Sequence, residues 1–168
     1  MNLYIIRHAI AVDEGNSHYE SDSQRPLTDK GRKKMRQIAK SLRNLGVEFD
    51  VILSSPYVRA RETAEILADV FKMKKKILFS DNLIPLGNPE LLITEMNEKY
   101  SVGSMAVVGH EPHLSALVGL LTAESGKIDI MLKKGGVCYL SADDLHHENR
   151  ATLEWLLTPG LLMEIGDK

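Results

Sequence analysis

Leu3-Tyr4-Ile5-Ile6-Arg7-His8 sets the fold: four apolar, strand-favouring residues run without a polar break and stop at Arg7 and His8. A short continuous apolar run of this kind suits a strand buried on both faces, as in a parallel sheet. In open α/β sheets ligands sit just beyond the carboxyl ends of such strands. Arg7 and His8 therefore combine a permanent cation that can hold an anionic oxygen with an imidazole lone pair. An apolar run followed by Arg-His is a weak signal alone, because strands commonly end at polar residues.

Outward from this stretch the pattern repeats. Val51-Ile52-Leu53 is a second buried run that stops at Ser54-Ser55, and Met105-Ala106-Val107-Val108 is a third, stopping at Gly109-His110-Glu111-Pro112. Ile77 to Phe79 is a further short strand. Lys133 to Ala142, entered through Gly135-Gly136, pairs with Ala151 to Leu157 in a hairpin whose loop is Asp143 to Arg150.

Between the strands lie helices with readable ends. Thr28 is an N-cap with Asp29 in the first turn; Met35, Ile38, Ala39, Leu42 and Leu45 form an apolar face, and Gly46 ends the helix. Ser55-Pro56 reads as N-cap and first helical residue, with Arg59 in the first turn, and Asn88-Pro89-Glu90 repeats that signature for a helix to about Tyr100. Leu114, Leu117, Val118 and Leu121 mark a fourth helix. Strands alternating with helices predict a three-layer α/β/α fold with a mainly parallel central sheet and an antiparallel hairpin at its edge.

The chain has 168 residues, expected to form one domain spanning 1–168, and a net charge of −2 that gives no basic field for nucleic acid. One cysteine, Cys138, excludes an internal disulfide framework, and no window approaches a membrane span. A cytoplasmic protein is expected, without nucleic-acid or membrane partners, and monomeric.

Parallel strands present Arg7 and His8, Ser54 and Ser55 with Arg59 one turn on, and His110 on one edge of the sheet. The helix near Pro56 aims its start at the same edge. Two arginines and two histidines converging on a helix start make an anion site, and phosphate is the natural anion.

Four stretches, Leu3 to Ala9, Arg25-Pro26-Leu27-Thr28-Asp29-Lys30-Gly31, Ser54 to Ala64 and Val107 to His113, resemble the histidine phosphatase superfamily with its phosphoglycerate mutase-like fold. Within it the chain is most similar to the short SixA-type phosphohistidine phosphatases. Lys134-Gly135-Gly136 and Trp155 to Pro159 are a weaker match. The resemblance implies that His8 is the nucleophile, forming a phosphohistidine intermediate, and that Arg7, Arg59 and His110 complete the phosphate pocket with no cofactor or metal. Phosphoryl transfer asks for an in-line nucleophile and neutralised equatorial oxygens, which these groups supply.

Two departures stand out. Ala9 replaces the glycine usual after Arg-His, and the loop Leu83 to Asn88 lacks the carboxylate that many relatives supply as general acid. Glu111 is the candidate acid, set against its reading as a helix N-terminal acid. Ser55 is a candidate phosphate contact besides its capping role, and Arg25 a candidate for steering acidic substrate. His113 is expected to pack at its helix start, His146-His147 to sit in the hairpin loop, and Cys138 to be a strand residue. The expected substrate is phosphohistidine on a protein partner. The alternatives are a small phosphate ester, turned over by a phosphomonoesterase or mutase, and a phospholigand-binding module with low turnover.

Overall fold

The computed structural model describes residues 1–15, 18–73, 76–123, 127–143, 145 and 151–166. Strand β1 (Asn2–Arg7) leads through a 3-10 turn at Asp22–Gln24 to α1 (Asp29–Asn44), followed by β2 (Val51–Ser54) and α2 (Val58–Val70). Next come β3 (Ile77–Phe79), α3 (Pro89–Lys99), β4 (Ser104–Gly109) and α4 (His113–Thr122). The chain closes with β5 (Val137–Ser141), β6 (Thr152–Leu157) and α5 (Pro159–Gly166).

The strands form one sheet in the order β3-β2-β4-β1-β5-β6. β1, β2, β3 and β4 pair in parallel, whereas β5 runs antiparallel to both β1 and β6. The sheet is thus mainly parallel with an antiparallel hairpin at its edge, as the sequence predicts.

The unbroken apolar runs are explained by cover on both faces. Tyr4, Ile6, Ile52, Ala106 and Val108 share one core with Met35, Ile38 and Leu42 of α1 and Ala64 and Leu67 of α2. Leu3, Ile5, Leu53, Met105 and Val107 share the other with Leu92 and Met96 of α3 and Leu117 and Val118 of α4. Successive strand residues enter opposite cores, so polar side chains in these strands fall only at their ends.

Helices start as predicted where a side chain caps the turn. Thr28 Oγ1 accepts from Gly31 N at 3.0 Å, and Asn88 Oδ1 accepts from Glu90 N at 2.8 Å. Gly46 follows α1 with a φ of 77°, the left-handed conformation expected of it.

Three expectations need correction. α2 begins at Val58, because Ser55 Oγ accepts from Tyr57 N at 3.3 Å inside a bend rather than capping a helix. Lys133 to Gly136 is a turn, so β5 begins only at Val137. The closing helix α5 was unrecognised, since its eight residues include Pro159 and Gly160; what forms it is packing of Leu162 and Met163 into the core beside α1. Lys74, Lys75, His146 and His147 lie outside the described residues.

One close approach couples the fold to the strand ends. A Cβ on Gly31 would fall 2.0 Å from the Ile10 carbonyl oxygen, which also accepts from Thr28 N at 3.0 Å. Gly31→Ala must push the segment after β1 away from α1. We expect a loss of about 1–3 kcal/mol in urea unfolding, with activity falling further than stability alone explains.

Candidate active site

The site is built where three adjacent parallel strands end together. Arg7 of β1 stands opposite Gly109 of β4, and Ser54 of β2 opposite Val108. One step further on, His8 N donates to Gly109 O at 3.0 Å and Ser55 N to Val108 O at 2.9 Å. His8, Ser55 and His110 thus follow the ends of neighbouring strands, and the His8 and His110 rings lie 5.1 Å apart. α2 packs beside this edge and carries Arg59 into it.

Hydrogen bonds set the state of each group. His8 Nδ1 lies 2.7 Å from the Ala9 carbonyl, an acceptor, so Nδ1 carries the proton and Nε2 keeps its lone pair. Arg59 Nε–H donates to that Nε2 at 3.3 Å. Arg59 also donates through Nη1 to Asp22 O at 2.7 Å and through Nη2 to Asp22 Oδ2 at 2.9 Å. His110 Nε2 is hydrogen-bonded to Ser55 Oγ at 2.9 Å, and Arg7 Nη1 donates to Leu132 O at 2.9 Å. Ala9 N donates to Thr63 Oγ1 at 3.1 Å, which ties the segment bearing His8 to α2. Lys72 is the one described non-glycine residue with positive φ, so Ala9 stands in place of glycine without backbone strain.

These residues surround a cavity of about 340 Å³ lined by Arg7, His8, Arg25, Arg59, His110 and Glu111, with Pro85, Lys134, Asp13, Glu14 and Asp22 completing its wall. Two larger clefts, one beside Phe49 and Phe71 and one beside Arg36 and Ile66, contain none of these groups. Three lining residues hold a buried polar atom with no partner among the described residues: Arg7 Nε, His110 Nδ1 and Glu111 Oε1. Apart from Pro85 every lining side chain is polar or charged, which suits a polar ligand. The arrangement can hold a tetrahedral oxyanion against an unprotonated imidazole nitrogen once the Arg59 Nε–H moves off it.

The electrostatics keep both imidazoles neutral. Burial, outweighing the Ala9 hydrogen bond, and the cations of Arg59, Arg7 and Lys134 push His8 down to about 3. Burial, His8 and Arg59 push His110 down to about 2. Burial lowers Arg7 from its usual value, an effect the Glu111 carboxylate opposes.

Arg7, His8, Arg59, His110, Arg25 and Glu111 are therefore brought together, whereas Ser55 is not a lining residue. It is fully buried behind His110, and its hydroxyl orients that ring instead of reaching the cavity. Arg25 lines the wall but is held by Asp22 Oδ1 at 2.5 Å and donates to Val12 O at 2.6 Å. His113 packs buried in the first turn of α4. Cys138 is buried in β5 with its thiol pushed up to about 12 by burial, which leaves it inert. Among the described residues no three His, Cys, Asp or Glu side chains gather where they could hold a metal ion, and no helix is long and apolar enough to cross a membrane.

Asp22 and Lys134 escaped the sequence reading. The signal for Asp22 was its position three residues before Arg25 in a short polar segment. The signal for Lys134 was the Gly135-Gly136 pair beside it, where Gly135 N donates to Arg7 O at 3.0 Å.

Residues 3–84 match the model of the histidine phosphatase superfamily (branch 1). An uncharacterized protein of Picosynechococcus sp. (strain ATCC 27264 / PCC 7002 / PR-6) is 34% identical over 94% of this chain and 99% of its own length. The phosphohistidine phosphatase SixA of Escherichia coli (strain K12) is 29% identical over 95% of this chain and 94% of its own. A structure of the protein histidine phosphatase SixA complexed with tungstate superimposes with a TM-score of 0.83 at 26% identity, covering 95% of this chain and 98% of that one.

The two neutral histidines make stability depend on pH. Unfolded, each titrates near 6.5; folded, each resists protonation until far lower pH. Their contribution is complete above the unfolded value and is lost as pH falls towards the folded ones. Below pH 6.5 the slope approaches about 1.4 kcal/mol per pH unit for each histidine. Urea unfolding should show a clear drop between pH 6 and pH 5, and His8→Gln should lessen that slope, leaving the shares of His110 and of His113, which burial also holds below its usual value.

Proposed function

Since the chain belongs to the histidine phosphatase superfamily and is a phosphatase of SixA type, we propose that it hydrolyses phosphohistidine on a protein partner through a covalent intermediate on His8. The observation that carries this reading is the unprotonated Nε2 of His8, set by the Nδ1–Ala9 hydrogen bond and met by the Arg59 Nε–H, in a cavity shared with Arg7, Arg59 and His110. The tungstate seated in the SixA structure is a tetrahedral oxyanion of the kind this cavity suits.

In the first half-reaction His8 Nε2 attacks phosphorus, the N–P bond of the substrate breaks, and its imidazole leaves with that electron pair and takes up a proton. In the second, water attacks the phosphoryl group, the Nε2–P bond breaks, and phosphate departs. Arg7 and Arg59 neutralise the equatorial oxygens, and His110 stands beside them as a neutral hydrogen-bonding group. The reaction uses no metal, and it is assigned to the cytoplasm. Arg25 stands at the cavity wall with its charge paired to Asp22, so any contact it makes with substrate is short-range.

Glu111 is the proton-transfer group at the leaving side. Its Oε1 is buried without a partner in the lining of the same cavity. Imidazole leaves far more readily than an alkoxide, so a P–N substrate asks little of this acid. Proton donors contribute about 10²–10⁴-fold to reactions that need them. Glu111→Gln should therefore cost about 10²-fold on an alkyl phosphate and less than tenfold on phosphohistidine, which steady-state rates on the two substrates will check.

The central test is single turnover with radiolabelled phosphohistidine peptide. Label should appear on the protein in an acid-labile, alkali-stable form, and His8→Ala should abolish both labelling and turnover. Equal or faster turnover of sugar phosphates would favour a small-molecule phosphomonoesterase instead. Binding without labelling would reduce the protein to a phospholigand-binding module.

A further inference from the structure

We propose that Asp22 is a positioning residue for phosphoryl transfer: it clamps the Arg59 guanidinium so that its Nε–H can pass from His8 Nε2 to a phosphoryl oxygen without the guanidinium moving. The inference rests on His8 being the nucleophile. Neither the fold nor the anion site requires a carboxylate here, and an acid facing bound phosphate opposes anion binding. Its placement therefore needs a reason.

The geometry supplies one. A guanidinium has five N–H groups, and Arg59 uses three: Nε on His8, one from Nη1 on the Asp22 carbonyl and one from Nη2 on the Asp22 carboxylate. Main chain and side chain of one residue thus grip the far end of the guanidinium and fix its plane. One N–H on each terminal nitrogen is left for a ligand.

The carboxylate is itself fixed. Its Oδ1 accepts from Arg25 Nε at 2.7 Å while Oδ2 takes Arg59, and Arg25 is tied in turn to the Val12 carbonyl. Arg25 balances the negative charge that Asp22 brings to the wall. The arrangement is a guanidinium–carboxylate–guanidinium chain with its inner end on the attacking nitrogen.

The consequence concerns the reaction more than the resting complex. In this structure the Arg59 Nε–H occupies the lone pair that must attack. When a phosphoryl group enters, that N–H is handed to an oxygen while the rest of the guanidinium stays on Asp22. Without the clamp Arg59 still attracts phosphate, but it no longer holds the one orientation that frees His8.

The test is Asp22→Asn, with Asp22→Glu read beside it. Turnover of phosphohistidine peptide and of a series of aryl phosphates is measured, together with vanadate affinity, after thermal unfolding has shown folded protein. Misplacing a catalytic group by about 1 Å can cost about 10²-fold. We expect kcat to fall about 10- to 100-fold in Asp22→Asn, uniformly across leaving groups, with vanadate binding undiminished and Asp22→Glu intermediate. Should Asp22→Asn fail to fold, the same uniform loss in Asp22→Glu carries the test.

A kcat within about twofold of the parent protein would overturn the inference, as would loss of vanadate affinity in place of kcat. A loss growing with leaving-group pKa would also overturn it, by making Asp22 a proton donor. Labelling of His8 in the unsubstituted protein is followed in parallel. Its absence sinks the nucleophile assignment, whereas its presence with unaffected Asp22 variants sinks this inference alone.

Discussion

The in-register parallel pairing of β1 with β4, and of β4 with β2, is the constraint on which everything else in this molecule depends. Arg7 stands opposite Gly109, and Val108 opposite Ser54. Residues far apart in the chain therefore leave the sheet at one level. A slip of one residue between parallel strands would exchange the faces of every side chain and send Tyr4 and Ile6 into the wrong core. The same register that packs the two cores therefore holds His8 beside His110.

Polar groups at that edge are kept in order by neighbours that never face the cavity. Ser55 sits behind His110, Thr63 behind the segment bearing His8, and the Leu132 carbonyl behind Arg7. Each bond consumes a polar group that burial would otherwise leave unsatisfied. Three of the residues that keep an unpartnered buried polar atom among the described residues, Arg7, His110 and Glu111, line one hollow. The arginines and Lys134 disfavour an imidazolium nearby, while burial removes the water that would stabilise one. The result is a polar pocket of mixed charge, with arginines at its inner end, whose histidines remain neutral.

Much of this was legible along the chain because local chemistry marks it. Continuous apolar runs announced strands covered on both faces, and the caps at Thr28 and Asn88 announced helix starts. Polar residues just past three strands announced the site, and the matched stretches around them announced the family. What failed were features whose cause lies elsewhere in the molecule. Ser55-Pro56 has the residues of a cap, yet the serine hydroxyl is claimed by His110 and the adjacent bend. The closing helix has a proline and a glycine at its start and gains its place by packing beside α1. Asp22 looked like one more polar loop residue, because nothing nearby discloses that Arg59 will meet it.

The sequence by itself determined the layers, the strand ends and the residue types gathered at them, since periodicity, caps and residue chemistry are properties of neighbours in the chain. Tertiary structure alone decided that Arg59 meets Nε2 of His8 and that Ser55 serves His110. It also decided that Asp22 joins two arginines. Those outcomes depend on distances between segments 37 to 55 residues apart, and hydrogen bonds across such separations exist only once the sheet has set the register.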